Sequence, residues 1–128
     1  MSKMQRTKGS AGEREAAALL ACVTGCDIRR RVRQHDGDTD LEGLPGWSLE
    51  IKRHAAAPRG EIARWWLQAV EQAQRAGQRP LLLYRPDRGA WRAVWAPDDD
   101  PAHAVEADPA TWWRLTQPWH ADRADSPT

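Results

Sequence analysis

The sequence predicts a single α/β domain, a mixed central sheet flanked by helices, and three observations predict it. Ile62, Trp65, Trp66, Ala69, Val70 and Ala73 recur at helical spacing and mark a helix with one apolar face. Residues 80–85 form an apolar run of strand length, and residues 90–95 alternate so that Trp91, Ala93 and Trp95 share a face, with a Pro86-Asp87-Arg88-Gly89 turn between them. Before that helix, residues 40–52 have the pattern of a strand pair around Leu44-Pro45-Gly46-Trp47, in which proline and glycine suit the centre of a type II turn.

In chain order, Ser10 and Glu13 have the spacing of a capping box, and Ala16, Leu19, Leu20 and Val23 then lie on one face of a first helix that ends near Gly25. Residues 27–34 read as a strand made strongly basic by Arg29, Arg30, Arg31 and Arg33. Asp36-Gly37-Asp38 breaks it, and the 40–52 hairpin follows. The Trp-bearing helix ends at Gly77, a residue suited to the left-handed cap. After the second hairpin, Asp98-Asp99-Asp100-Pro101 is a loop, and Asp108-Pro109 supplies cap and first-turn chemistry for a short helix carrying Trp112, Trp113 and Leu115. One domain over 1–120 and a disordered tail over 121–128 are expected.

The chain has 128 residues, enough for one hydrophobic core. No apolar run is long enough to span a bilayer and residues 1–12 lack a signal-peptide core, so a cytoplasmic protein is expected. Cys22 and Cys26 complete no zinc spacing with His35 or His54 and are expected as free thiols, Cys22 partly buried. Residues 1–95 carry 17 Lys+Arg against 11 Asp+Glu, whereas residues 96–128 carry 2 against 7. A basic body with an acidic tail suits a polyanionic partner, because each neutralised phosphate releases counterions. The eight tryptophans and no phenylalanine are expected to fill the core, with Trp47 the best candidate for stacking on a base.

Chemistry concentrates at the first hairpin. Residues two apart on a strand share a face, so Glu50 and Lys52 project together, and Asp40 is expected to join Glu50 from the opposite strand. Two carboxylates with the Ile51 carbonyl make a hard oxygen set for magnesium, which keeps positions for phosphate and water. Only three of the 19 basic residues are lysine, and Lys52 is one of them. Its compact ammonium can approach a reacting water or phosphate in a way that a flat guanidinium cannot. Asp38 is the rival for the aspartate role. Glu13 either faces inward toward the site or completes the capping box with Ser10, and Gln72 borders the Trp-bearing helix face where it could reach a cleft.

Lys8-Gly9, Glu13-Arg14-Glu15, the basic strand from Arg29 to Arg33, Asp40-Leu41 and Glu50-Ile51-Lys52 together resemble the archaeal-type Holliday junction resolvases and their phage relatives in the PD-(D/E)-x-K nuclease superfamily. The similarity covers about residues 8–95. It implies a restriction-endonuclease-like fold, a metal site served by Glu13, Asp40, Glu50 and Ile51, a catalytic Lys52, and phosphate contacts from Arg14 and Arg30. Lys8, Arg29, Arg33 and Arg53 are further candidate DNA contacts. The resemblance also implies magnesium, with manganese as a substitute, hydrolysis to a 5′ phosphate, and a homodimer acting on branched or duplex DNA. The alternatives are a related restriction, repair or nicking nuclease, or a non-catalytic DNA-binding module on the same fold.

Overall fold

The computed structural model describes residues 3–32 and 39–124, with side chains described for 11–31 and 41–117. The elements run α1 (Lys3–Thr24), β1 (Arg29–Val32), β2 (Thr39–Glu42), β3 (Trp47–His54), α2 (Arg59–Ala76), β4 (Arg79–Pro86), β5 (Arg92–Trp95), β6 (Val105–Ala107) and α3 (Pro109–Ala124). Four strands form one mixed sheet in the order β3-β4-β5-β6, and β1 and β2 form a separate antiparallel pair. β3 and β4 are parallel, joined by α2, and the remaining neighbours in the main sheet are antiparallel.

Strand alternation sends apolar side chains to both faces of this sheet, and helices cover both. On one face Leu49, Leu81, Leu83, Ala93 and Trp95 pack against Ala16 and Leu20 of α1 and Trp112 of α3. On the other, Leu82, Tyr84 and Val94 pack against Ile62, Trp65, Trp66, Ala69 and Val70 of α2. All six residues of the expected α2 stripe are buried. Gly77 closes α2 at φ 65°, and Gln78 N–H donates to Ala73 O at 2.9 Å. Asp108 caps α3 by accepting from Thr111 N at 3.1 Å and Thr111 Oγ1 at 2.6 Å, which holds its carboxyl below the usual range.

Several expectations are corrected. α1 begins at Lys3, so Ser10 lies inside the helix and no capping box starts there. Met, Gln, Arg and Lys before Gly9 are good helix formers, and Gly9 and Gly12 cost only about 1 kcal/mol each. The turn at Pro45-Gly46 is present, with Gly46 at φ 84° and Trp47 N–H donating to Leu44 O at 3.2 Å. The strands it joins, however, are not paired with each other: β2 pairs with β1 and β3 pairs with β4. Gly43 explains part of this. At φ 115° it turns the chain out of β2, and a side chain there would meet Asp27 O at 2.1 Å, so the chain bends against β1's approach. β6 was not expected, because three residues are too few to show alternation. The last helix, expected to be short, runs from Pro109 to Ala124.

Among the described residues six tryptophans are buried in the core and Trp113 packs against it partly buried. Trp47 is the correction: it is 5% exposed and meets Trp112 edge-on at 5.3 Å, so it offers no face to a base. Cys22 is exposed rather than partly buried, and Cys26 packs against the core; both are free thiols. Among the described residues no helix is long and apolar enough to cross a membrane.

Candidate active site at the β3 edge

β3 is the terminal strand of the main sheet, and β2 packs beside it. Glu50 and Lys52 project from its α2 face, while Leu49 and Ile51 join the core under α1. Lys52 Nζ lies 3.6 Å from Glu50 Oε1, with the two side chains 24% and 20% exposed. A carboxylate and an ammonium are thus held close, largely covered yet open to solvent on one side. A pair so placed retains a stronger electrostatic interaction than a solvated one.

Asp40 lies on β2, where its register partner is Arg31 and not Glu50, and the neighbouring pair is Arg30 with Leu41. Leu41 is buried and anchors that strand beside β3. The side chain of Asp40, like Asp38 and Arg33, lies outside the described residues. Glu13 comes from α1 and meets Arg30 Nη2 at 3.8 Å, with the carboxylate 18% exposed. It is therefore paired with the basic strand, and the capping-box reading fails because α1 already begins at Lys3. Among the described residues no three His, Cys, Asp or Glu side chains form a metal cluster.

The basic residues divide. Arg14 is exposed on α1, and Arg29 is exposed with its guanidinium on Asp27 at 2.6 Å. Lys8 lies in α1, its side chain outside the described residues. Arg53 departs from expectation: it projects opposite to Lys52, pairs with Asp87, is 17% exposed, and lies under Gly12 of α1. A side chain at Gly12 would sit 2.6 Å from Arg53 Cβ, so glycine is what lets the helix approach β3. Arg53 thus serves helix-to-sheet packing on the face opposite to Lys52. Gln72 lines an open pocket of about 640 Å³ with Arg31, Leu41, Ser48 and Arg75, beside the Glu50–Lys52 pair and not containing it.

Three features escaped the sequence. Glu15 accepts from Trp91 Nε1 at 2.7 Å and from Arg85. Burial pushes its carboxyl up, but these hydrogen bonds and the charges of Arg85 and Arg53 outweigh that and hold it below the usual carboxylate range. Across the sheet from Lys52 stands Tyr84, pushed up to about 12 by burial and by its hydrogen bond to Glu106. Glu106 in turn holds Arg92 Nε at 3.0 Å and Arg59 Nη1 at 3.5 Å. Finally His54, the next residue on the Glu50–Lys52 face, stacks on Trp65 at 4.7 Å. Its position was legible from the alternation 50, 52, 54; its partner on α2 was not.

A family profile described as "Phage putative PDDEXK endonuclease" matches residues 4–117, most of the chain and all of the elements just described except the end of α3. The chain belongs to this PDDEXK endonuclease family. No curated protein matches it. Among solved structures it is similar to that of a Holliday junction resolvase, Hjc, from the archaeon Archaeoglobus fulgidus, at 18% identity and TM-score 0.46, over 82% of this chain and 87% of that one. The mixed sheet flanked by helices is the architecture expected for a PDDEXK endonuclease.

Proposed function

We propose that this endonuclease hydrolyses phosphodiesters of branched DNA, Holliday junctions foremost, with magnesium, and that it does so as a homodimer. The observation that carries the reading is the Glu50–Lys52 pair, 3.6 Å apart on the exposed side of the strand that β2 and Asp40 flank. Glu13 of α1 pairs with Arg30 of the basic strand β1.

The donor set fits a hard divalent cation. Glu50 is a largely covered carboxylate at an accessible strand edge, the Ile51 carbonyl follows it, and Asp40 and Glu13 come from the adjoining β2 and α1. These residues would hold magnesium, or manganese, which shares the preference for oxygen. Bound there, the ion would supply charge stabilisation at the phosphate and a more acidic water. The chain's own residues do the rest. Lys52 places one positive charge where negative charge develops on the phosphate and orients the attacking water by donating hydrogen bonds. Arg30 keeps Glu13 in place and, with Arg14, gives the approaching backbone positive partners. In-line attack of the water on phosphorus breaks the P–O3′ bond, leaving a 5′ phosphate and a 3′ oxygen that takes up a proton to become a hydroxyl.

A homodimer accounts for paired incision of a four-way junction, since each protomer has one site. Trp65, Trp66 and Trp112 are buried within the protomer, so self-association would use other surface; among the described residues Leu67, Val105 and Leu115 are the large exposed apolar residues. Cleavage products mapped on a four-way junction, a linear duplex and a flap test the assignment. Symmetric cuts in opposing arms, by a dimer, are expected; equal cutting of plain duplex would replace junction resolution by general or restriction-type cleavage.

A further inference from the structure

We propose that the pocket between β2, β3 and the last turns of α2 receives an unstacked base of the DNA, from a nucleotide next to the scissile phosphate. The proposal rests on the nuclease reading and deepens it, because a seat for an unstacked base selects DNA whose pairing is already interrupted.

Ser48, Glu50 and Lys52 occupy positions i, i+2 and i+4 of β3, hence one face. Ser48 lines the pocket, so the pocket begins roughly 7 Å along the strand from Glu50, within the reach of one nucleotide. Its volume of about 640 Å³ is in the range of small-molecule sites. The lining has two characters. Leu44 and Pro45, at the turn before β3, make an apolar side, whereas Ser48 and Gln72 bring a hydroxyl and an amide. A base has the same division, with an apolar face for contact and a polar edge for hydrogen bonds. Gln72 is half-buried, and its amide both donates and accepts, as a base edge does. Among the described residues no hydrogen bond or ion pair engages that amide or the Arg75 guanidinium three residues on. Trp47 also lines the pocket but is buried edge-on against Trp112, so the seat works by aliphatic contact and hydrogen bonds rather than by ring stacking. At the rim Arg31 and Arg75 set two guanidiniums against the Glu42 carboxylate, which lies 3.7 Å from Arg31. That excess of positive charge suits the phosphate attached to a base seated inside. A phosphate alone would use the rim and leave the apolar side without purpose. Extruding a base costs most from a paired duplex and least where pairing and stacking are interrupted, as at a branch point. The pocket therefore converts the irregularity of a branch into affinity beside Glu50.

The test uses the full chain and four-way junctions in which single nucleotides flanking the cut are made abasic or replaced by 2-aminopurine, whose fluorescence rises when it unstacks. Fluorescence is read in chelator and cleavage with magnesium. One position next to the cut should brighten when wild type binds, and making that position abasic should raise KM roughly tenfold with kcat little changed. Gln72→Leu keeps the length and helix propensity of glutamine and removes its amide, so Tm should be retained. It should raise KM for the intact junction about tenfold, and the abasic position should then cost little more. No brightening at any flanking position, an unchanged KM in Gln72→Leu, or fully additive losses would overturn the proposal while leaving the nuclease intact. Failure of wild type to cut any DNA would overturn the functional reading, and this proposal with it.

Discussion

Replacing Gly12 by alanine tests the close approach of α1 to β3. On helix propensity alone the change should stabilise by about 1 kcal/mol, since Gly12 lies within α1. The geometry says the opposite. The added Cβ would stand 2.6 Å from Arg53 Cβ and 3.1 Å from Arg53 Cγ, where carbons normally meet at roughly 3.5–4.0 Å. The obstructing atom is the first of its side chain, so it moves only with the strand, and α1 must retreat by about 1 Å. Ala16 and Leu20, fully buried on the same helix, would lose contact with Leu49 and its neighbours. Overpacking of this kind costs about 1–3 kcal/mol, leaving a net loss of about 0–2 kcal/mol after the propensity gain. Urea unfolding followed by tryptophan fluorescence measures it. Glu13 follows Gly12 directly, so cleavage should fall as well. A variant more stable than wild type by the roughly 1 kcal/mol that propensity alone predicts would show that α1 does not lie where this argument needs it.

Lys52→Arg keeps the charge but substitutes a broad fork for a compact donor 3.6 Å from Glu50; cleavage should drop about 10²–10³-fold with DNA affinity retained, as gel-shift and single-turnover assays can show. Glu15 links α1 to Trp91 and Arg85, and its carboxyl is held below the ordinary 4.5. Its contribution to stability is therefore present above pH 4.5 and lost as pH falls through the lowered value. Because the side chain is 41% exposed, the effect is below about 1 kcal/mol, and Glu15→Gln should flatten the acid limb of a Tm-versus-pH curve by that amount. Trp65→Ala should cost about 3–5 kcal/mol by emptying the α2 face and should also free the His54 ring, visible as a lowered urea midpoint and broadened His54 resonances.

What the sequence made legible was local. The α2 stripe, the Gly77 cap, the β4–β5 hairpin and the Asp108 cap each depend on residues within a few positions, and each is found. Strand pairing is not local, and there the reading went astray. The Pro45-Gly46 turn is real, yet β3 chooses β4 across the whole of α2, an alignment no turn dictates. The same division holds at the site. Alternation placed Glu50 and Lys52 together, whereas the Arg30–Glu13 pair, the seat of Arg53 under Gly12 and the stacking of His54 on Trp65 join residues far apart in sequence. Arg53 in particular looked like one more basic residue beside Lys52; its strand face and Asp87 take it out of the site.

The central claim, that the β3 edge cuts DNA through Glu50 with a divalent ion, is tested most directly by single-turnover cleavage of a labelled four-way junction by wild type and Glu50→Gln, with magnesium and with chelator. The account predicts cutting by wild type only with magnesium, a loss of roughly a thousandfold or more in the variant, and undiminished junction binding by it. Wild-type cleavage rates in Glu50→Gln, or full activity in chelator, would contradict it.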